Sequence, residues 1–155
     1  MPRSNTVAAG NNKVYEILGV GKNPQGEPTA LSPELKIVNS IREGFPIVSV
    51  GRVAQECGIS EAQLASVLGT SDRDIERRKQ ENKPLDSIFS DRLYRIARIL
   101  ASTLEVFENA DTARNWLKRP NRALSGAIPF ELLDTDAGTQ QVDELLKRIE
   151  YGLYS

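Results

Sequence analysis

Apolar residues recur at helical spacing through most of the chain after residue 32. The pattern is most regular in the longest predicted helix, residues 90–109, where the apolar positions are separated by three or four residues. This spacing places them on one helical face. They are Leu93, Ala97, Leu100, Leu104 and Phe107. We predict that Ser90 caps this helix and that its apolar face is the hydrophobic spine of an all-α fold.

Residues 60–83 predict a pair of short helices joined by a tight turn. Ser60 and Gln63 form a capping box, in which the hydroxyl and the amide satisfy free backbone N–H groups at a helix start. Gly69 is expected to end that helix, because glycine accepts the left-handed conformation without a Cβ penalty. Ser71 then caps a second helix. This arrangement is typical of a helix-turn-helix.

The second of these helices, residues 72–82, has a composition that suits DNA binding. Its one apolar residue, Ile75, is expected to face the core. The opposite face carries side chains that pair with guanine or adenine edges in a major groove, namely Arg73, Arg77 and Gln80. Arg78 and Lys79 lie nearer the flanks, where phosphate contacts are made. Ser71, at the helix start, is a further candidate DNA-binding residue. A solvated charged helix is the alternative, because acidic residues nearly balance the basic ones.

The segments before this motif carry weaker patterns. The first dozen residues are expected to form a mobile tail, and residues 14–20 to pack on the body as a strand or short turn. Ser32 and the proline after it mark the start of a helix that ends at Gly44. We expect a further helix over residues 50–57. The inward face of the helix that starts at Ser32 is predicted to contain Leu35, Val38 and Ile41.

Further helical segments are predicted in the C-terminal part of the chain. The first begins at the cap Asp111 and is expected to bury Trp116, the only tryptophan. Pro129 suits the start of a single helical turn. Thr135 or Asp136 opens the last helix. The apolar face of that helix consists of Val142, Leu145, Leu146 and Ile149.

The composition narrows the classes of function. The chain has 155 residues, a net charge of −1, no histidine and one cysteine, Cys57. These counts exclude an intramolecular disulfide and His-dependent catalysis, and neither a cofactor nor a metal is expected. No apolar run approaches a membrane span or a signal-peptide core, so we expect a cytoplasmic protein. Any DNA binding must come from a local patch, and dimerisation would add phosphate contacts.

Several sequence motifs resemble one family of bacterial proteins. The runs PNRALSG at residues 120–126 and PFELLDT at 129–135 resemble the C-terminal toxin-binding domain of Xre/MbcA/ParS-type antitoxins. Upstream, LGTS at 68–71, RRK at 77–79 and SDRL at 90–93 resemble the Xre-like helix-turn-helix domain of the same family. The order and spacing of these motifs also resemble those of the family.

The resemblance implies a type II antitoxin that has no enzymatic activity. Its partners would be a RES-domain toxin, which consumes NAD, and operator double-stranded DNA. The antitoxin would be a homodimer within a toxin–antitoxin hetero-oligomer and would repress the shared operon. The implied organisation is a flexible N-terminal segment (1–31), a helix-turn-helix domain (32–109) and a small helical toxin-binding domain (110–155). The last domain would cover the toxin's active site.

The candidate toxin-binding residues lie in a loop and at the C-terminal end. They are Asn121, Arg122, Leu124, Ser125 and Gly126 in the loop, and Tyr151, Leu153 and Tyr154 at the end. The alternatives are turn chemistry for the loop and folding of the end back onto the last helix. Ile128 departs from the family, which often has Thr there as a helix cap. A stand-alone dimeric helix-turn-helix transcriptional repressor is the alternative function.

Overall fold

The computed structural model describes residues 12–20 and 32–152. Within these ranges the chain forms helices and connecting segments without a β-strand, which confirms the predicted all-α fold. Helix α1 spans residues 12–18. The other α-helices are α2 (Pro33–Glu43), α3 (Val48–Cys57), α4 (Glu61–Leu68), α5 (Asp72–Glu81), α6 (Ser87–Phe107), α7 (Ala110–Lys118) and α8 (Asp136–Glu150). A first 3-10 turn (Arg122–Leu124) and a second (Pro129–Asp134) lie between α7 and α8.

The chain divides into two compact units, Met1–Tyr94 and Arg95–Ser155. The first unit holds α1 to α5 and the beginning of α6. The second holds the rest of α6, then α7, the 3-10 turns and α8. Among the helices of the described residues, none combines the length and the apolar character needed to cross a membrane.

Helix α1 replaces the strand or short turn predicted at residues 14–20, so that prediction was wrong. Its apolar side chains Val14, Ile17 and Leu18 are buried, and their spacing is that of one helical face. At its end, Ser49 Oγ donates a 2.7 Å hydrogen bond to the carbonyl of Leu18. A helix satisfies its own backbone groups, whereas a strand would need a neighbouring edge. Residues 1–11 of the predicted mobile tail lie outside the described residues.

Helix α2 has the predicted bounds but buries a different face. Ile37 is buried, and Ile41 is partly buried. Leu35 and Val38 are 52% and 36% exposed, so the predicted inward face was wrong for these residues. The helix carries apolar residues on more than one side. Periodicity alone therefore did not identify the face of α2 that is buried.

Helix α6 begins before its predicted cap, Ser90. The carboxylate of Asp86 accepts the backbone N–H of Phe89 at 2.8 Å and thus supplies the N-terminal cap. Ser90 is fully buried within the helix, where its Oγ accepts the backbone N–H of Phe45 at 2.9 Å. The prediction that Ser90 caps this helix was wrong, because its hydroxyl is used in a contact between distant parts of the sequence.

The predicted apolar face of α6 is buried over most of its length. Leu93, Ala97 and Leu100 are at most 1% exposed. Leu104 and Phe107, near the C-terminal end, are partly exposed. Additional buried side chains widen the face, namely Ile96, Ile99 and Thr103.

Helix α7 begins earlier than predicted. Asn109 Oδ1 accepts the backbone N–H of Thr112 at 3.0 Å, so Asn109 is the cap and the prediction of Asp111 was wrong. Leu117 is buried at 1% exposure. Trp116 is only partly buried, which corrects the expectation that it lies in the core.

The second 3-10 turn and α8 agree with the sequence prediction. No side chain caps the turn at Ile128, and Thr135 Oγ1 caps α8 by accepting the N–H of Gly138 at 2.9 Å. A Cβ at Gly138 would lie 2.0 Å from the carbonyl oxygen of Leu132. Glycine therefore permits the close approach of α8 to the turn. The buried face of α8 contains Val142, Leu145 and Leu146, with Ile149 partly buried.

Candidate nucleic-acid interface and partner surface

Helices α4 and α5 form a helix-turn-helix with the predicted caps. Ser60 Oγ accepts the N–H of Gln63 at 3.1 Å, and Gln63 Oε1 accepts the N–H of Ser60 at 3.0 Å. Gly69 ends α4 in the left-handed conformation, with φ +85°. Ser71 Oγ accepts a backbone N–H in the first turn of α5 at 3.1 Å. Ile75 is completely buried and thereby determines which face of α5 points outward.

The outward face of α5 carries the predicted base-reading side chains. Arg73, Arg77 and Gln80 are all exposed, and the side chain of Arg77 retains 64% of its accessible surface. Within the described residues, Arg73 and Gln80 make no side-chain hydrogen bond or ion pair. Their guanidinium and amide groups are thus free to donate to base edges.

Asp74 connects this face to the rest of the unit. Its Oδ1 accepts from Arg77 Nη2, and its Oδ2 accepts from Thr70 Oγ1 at 3.0 Å and from Arg78 Nε at 3.2 Å. Burial acts to raise the pKa of Asp74. The hydrogen bonds from Thr70 and Arg78 and the charges of Arg78 and Arg77 outweigh burial and hold the pKa below its ordinary value. Asp74 is therefore ionised at neutral pH.

Arg78 is largely engaged within its own unit. Its side chain is 19% exposed, and Nη1 donates to the carbonyl of Pro84 at 2.9 Å. The guanidinium carbon lies 5.9 Å from the centre of the Phe89 ring, and Nη2 lies 3.8 Å from the carboxylate of Asp86. These contacts join α5 to the segment that leads into α6. The phosphate contact predicted for Arg78 stays a prediction.

Lys79 lies in an ion-pair network at the edge of the helix-turn-helix. Its Nζ donates to the carboxylates of Glu61 and Glu76. The hydrogen bond to Glu61 raises the pKa of Lys79, against the opposing effect of burial. Carboxylate oxygens of Glu61, Asp72 and Glu76 lie within 4.8 Å of one another. The Lys79 ammonium bonds two of these carboxylates and offsets one of the three negative charges.

The predicted toxin-binding loop is a compact turn. Asn121 Oδ1 accepts a backbone N–H of the first 3-10 turn at 2.9 Å, and its carbonyl accepts from Leu124 and Gly126 at 3.1 and 2.8 Å. Ser125 and Gly126 have left-handed φ angles of +57° and +84°. Asn121 therefore fixes the shape of the loop. Arg122 and Ser125 are exposed, so this turn geometry leaves side chains available to a partner.

A cleft of about 460 Å³ opens beside this loop. Its lining consists of Phe107, Thr112, Asn115, Trp116, Arg119, Pro120 and Asn121. The rings of Phe107 and Trp116 lie 5.5 Å apart and are tilted by 41°, and Arg119 is exposed beside them. Partly exposed aromatic rings next to a guanidinium are typical of protein interfaces. Sequence reasoning missed this cleft because it assigned Trp116 to the core.

The predicted C-terminal anchors are described only in part. Tyr151 follows α8 and is 73% exposed, so its ring does not fold back into the body of the second unit. Gly152 has a left-handed φ of +65°. Leu153 and Tyr154 lie outside the described residues.

Comparison with known proteins identifies both parts of the chain. Residues 37–98 match the antitoxin Xre-like helix-turn-helix domain, and residues 102–152 match the antitoxin Xre/MbcA/ParS C-terminal toxin-binding domain. A protein named Antitoxin Xre from Pseudomonas putida is 30% identical over 122 residues, which cover 79% of this chain and 76% of that protein. The chain belongs to the Xre antitoxin family.

Other relatives of this Xre-family antitoxin agree with that assignment. Antitoxin Xre from Photorhabdus laumondii is 28% identical over 131 residues, covering 84% of this chain and 87% of the relative. A Sphingobium protein named Prs ADP-ribosylating antitoxin is 21% identical over 127 residues, covering 76% and 80%. The predicted family is thereby confirmed.

The two family matches assign DNA binding and toxin binding to different parts of the antitoxin sequence. The match over residues 37–98 contains α4 and α5, so these helices belong to a DNA-binding helix-turn-helix. The match over residues 102–152 contains the loop, the aromatic cleft and Tyr151. This antitoxin is a regulatory protein whose partners are DNA and a toxin.

Proposed function

We propose that this antitoxin covers the active site of a RES-domain toxin that consumes NAD, and that it represses the operon encoding both proteins. The proposal is carried by the combination of an exposed, donor-rich face on a capped helix with a toxin-binding domain over residues 102–152. The name of the Sphingobium relative includes ADP-ribosylation. Because RES toxins resemble ADP-ribosyl-transfer folds, that name supports a toxin of the RES class.

On the DNA side, Arg73, Arg77 and Gln80 are the proposed base contacts. They are exposed and share the face of α5 opposite Ile75. Arg78 and Lys79 are the proposed phosphate contacts, through whichever donors their intramolecular bonds leave unused, and Ser71 is a further proposed DNA contact. Acidic residues nearly balance the basic ones on and beside α5, so one copy has a weak electrostatic attraction to DNA. A homodimer that binds two half-sites would double the number of phosphate contacts.

On the toxin side, the proposed surface combines the loop with the C-terminal end. The proposed contacts are Asn121, Arg122, Leu124, Ser125, Gly126, Tyr151, Leu153 and Tyr154. The exposed ring of Tyr151 suits an anchor in a partner's pocket, because tyrosine buries a large area at a low cost in conformational entropy. We assign DNA binding to residues 32–109 and toxin binding to residues 110–155.

The proposed mechanism requires binding alone. A toxin whose substrate pocket is covered cannot bind NAD, so the antitoxin would act in the cytoplasm by occlusion, without a catalytic group or a cofactor of its own. Operator occupancy by a toxin–antitoxin hetero-oligomer would link repression to the amount of free toxin. The antitoxin copies in that assembly would be paired, so that each presents one α5 helix to a half-site.

Co-expression with the product of the adjacent reading frame tests this function. We expect the chain to restore growth and the cellular NAD level in cells that express the neighbouring protein, and to co-purify with that protein. We also expect it to bind a DNA fragment of the shared promoter and so to reduce the electrophoretic mobility of that fragment. A retarded promoter fragment without growth rescue or co-purification would favour the stand-alone repressor. Rescue without NAD depletion by the toxin alone would point to a toxin of another class.

A further inference from the structure

Asp74 lies at the junction between the exposed face of α5 and the rest of the first unit. One carboxylate oxygen, Oδ1, accepts from Arg77 Nη2. The other, Oδ2, accepts from Thr70 in the turn and from Arg78. The side chain of Asp74 is 18% exposed, against 64% for Arg77. A partly buried carboxylate thus holds a largely exposed guanidinium.

The atoms that hold Asp74 are themselves anchored. Arg78 donates to the carbonyl of Pro84 at 2.9 Å and lies over the ring of Phe89. Thr70 belongs to the turn between α4 and α5, beside the left-handed Gly69. The position of the Asp74 carboxylate is therefore set by several elements of the unit. The ion pair with Asp74 in turn fixes the position of the Arg77 guanidinium.

The ion pair leaves Arg77 able to recognise a base. A guanidinium has five N–H donors, and bidentate recognition of guanine O6 and N7 uses one two-donor edge. Asp74 takes a hydrogen of Nη2, while Nη1 and the second Nη2 hydrogen stay available. Adenine presents an amino group where guanine presents O6, so the same edge of Arg77 would not pair with adenine.

We propose that Asp74 is a positioning residue that presets the Arg77 guanidinium for a guanine in the operator. This inference rests on the proposed base contact of Arg77. Holding a long, flexible side chain in its bound conformation before DNA arrives lowers the entropy lost on binding. It also restricts Arg77 to one direction of approach, so that guanine is favoured at one operator position.

The proposal has a signature that a purely structural role for Asp74 would not produce. A carboxylate beside the DNA surface repels phosphate, so removing its charge should strengthen binding to unrelated sequences. Removing its hold on Arg77 should weaken the preference for guanine. An Asp74→Asn variant should therefore gain non-specific affinity while it loses discrimination. A variant that is merely less well folded would lose both.

The experiment uses the full-length chain. An operator would be obtained by selection from random double-stranded DNA with the wild-type protein, and each position would then be replaced in turn. We expect Asp74→Asn to reduce the preference for guanine at one position roughly tenfold. Asp72→Asn is the matched control, because it removes the same charge from the first turn of the same helix without touching Arg77. It should raise non-specific affinity and retain the preference.

A second variant separates geometry from charge. Asp74→Glu keeps the carboxylate but displaces it by one methylene, so we expect reduced discrimination with unchanged non-specific affinity. Thermal unfolding of each variant, followed by circular dichroism, would establish that it is folded at the binding temperature.

The Arg77→Ala variant distinguishes the ways in which the proposal can fail. If Arg77→Ala abolishes the preference while Asp74→Asn and Asp74→Glu both retain it, Asp74 has no positioning role and the base contact of Arg77 stands. If Arg77→Ala itself retains the preference, the base contact of Arg77 is wrong, and the role of Asp74 is overturned with it. Loss of the preference in Arg77→Ala and in both Asp74 variants, but not in Asp72→Asn, supports the proposal.

Discussion

Arg92 Nη1 donates a 2.7 Å hydrogen bond to the backbone carbonyl of Leu68. Leu68 is the last residue of α4, whereas Arg92 lies on α6, so the bond satisfies a carbonyl that the helix end leaves without an intrahelical partner. The guanidinium of Arg92 also lies 5.7 Å from the centre of the Phe89 ring. The turn of the helix-turn-helix is thus held in place by a residue outside the motif.

Arg92→Ala should destabilise the protein by about 1–2 kcal/mol, because it leaves the Leu68 carbonyl unpaired and removes the contact with Phe89. Urea denaturation followed by circular dichroism measures the change. Arg98→Ala is the control, since Arg98 is exposed on the same helix and should change stability by less than about 0.5 kcal/mol. Equal effects of the two substitutions would contradict the role of the Arg92 bond.

Gly138→Ala should destabilise the second unit by about 3 kcal/mol, since the added Cβ would overlap the Leu132 carbonyl and force α8 away from the turn. Gly126→Ala is informative as a comparison, because Gly126 has a φ of +84° but nothing lies within 4 Å of an added Cβ. Its cost should be only the backbone strain, about 1 kcal/mol. Thermal and chemical unfolding of both variants should rank them in that order.

The acid stability of the protein should depend on Asp74. Because its folded pKa is lower than the unfolded value of about 3.9, Asp74 contributes stability at higher pH, and that contribution is lost as pH falls through the folded pKa. The difference in free energy of unfolding between wild type and Asp74→Asn should be largest near neutral pH and shrink below about pH 4. A difference that stays constant down to pH 2 would contradict this interpretation.

Trp116→Ala should weaken toxin binding about tenfold or more if the aromatic cleft contacts the toxin, as expected for a central aromatic residue of an interface. The tryptophan is only partly buried, so helicity should be retained. Isothermal titration calorimetry with the purified toxin measures the affinity.

A second variant, which lacks residues Leu153 to Ser155, should fail to restore growth in cells that express the toxin. Full neutralisation by either variant would remove that site from the toxin surface.

Arg73→Ala and Arg78→Ala should affect DNA binding in different ways. Arg73 is exposed, so the Arg73→Ala variant should bind the operator with relaxed specificity and still neutralise the toxin.

Arg78→Ala should weaken binding to all DNA sequences. It should also reduce the slope of the logarithm of the binding constant against the logarithm of the salt concentration, by the amount expected for about one phosphate contact. It should also lower stability, because Arg78 joins α5 to Pro84. An unchanged salt slope in a folded Arg78→Ala variant would exclude a phosphate contact.

The helix-turn-helix was predictable from sequence because its defining interactions are local. The capping box of Ser60 and Gln63 joins residues three positions apart, as does the cap that Ser71 provides for α5. Gly69 ends α4 through its own backbone conformation. The single apolar residue of α5, Ile75, leaves no choice of inward face. Each of these features depends on residue types within about one helical turn.

The role of Ser90 and the buried face of α2 could not be predicted from sequence, because both depend on contacts between residues that are distant in the sequence. Serine is a good N-terminal cap residue, so the sequence favoured Ser90 as the cap of α6. In the structure the Ser90 hydroxyl is buried and accepts the backbone N–H of Phe45 instead. Likewise, apolar spacing on α2 allowed more than one inward face, and in the folded protein Ile37 is buried whereas Leu35 is exposed. Helical periodicity reports which residues share a face, whereas burial depends on what covers that face. Local chemistry therefore determined the helix ends of the DNA-binding motif, while long-range packing decided which side chains are buried.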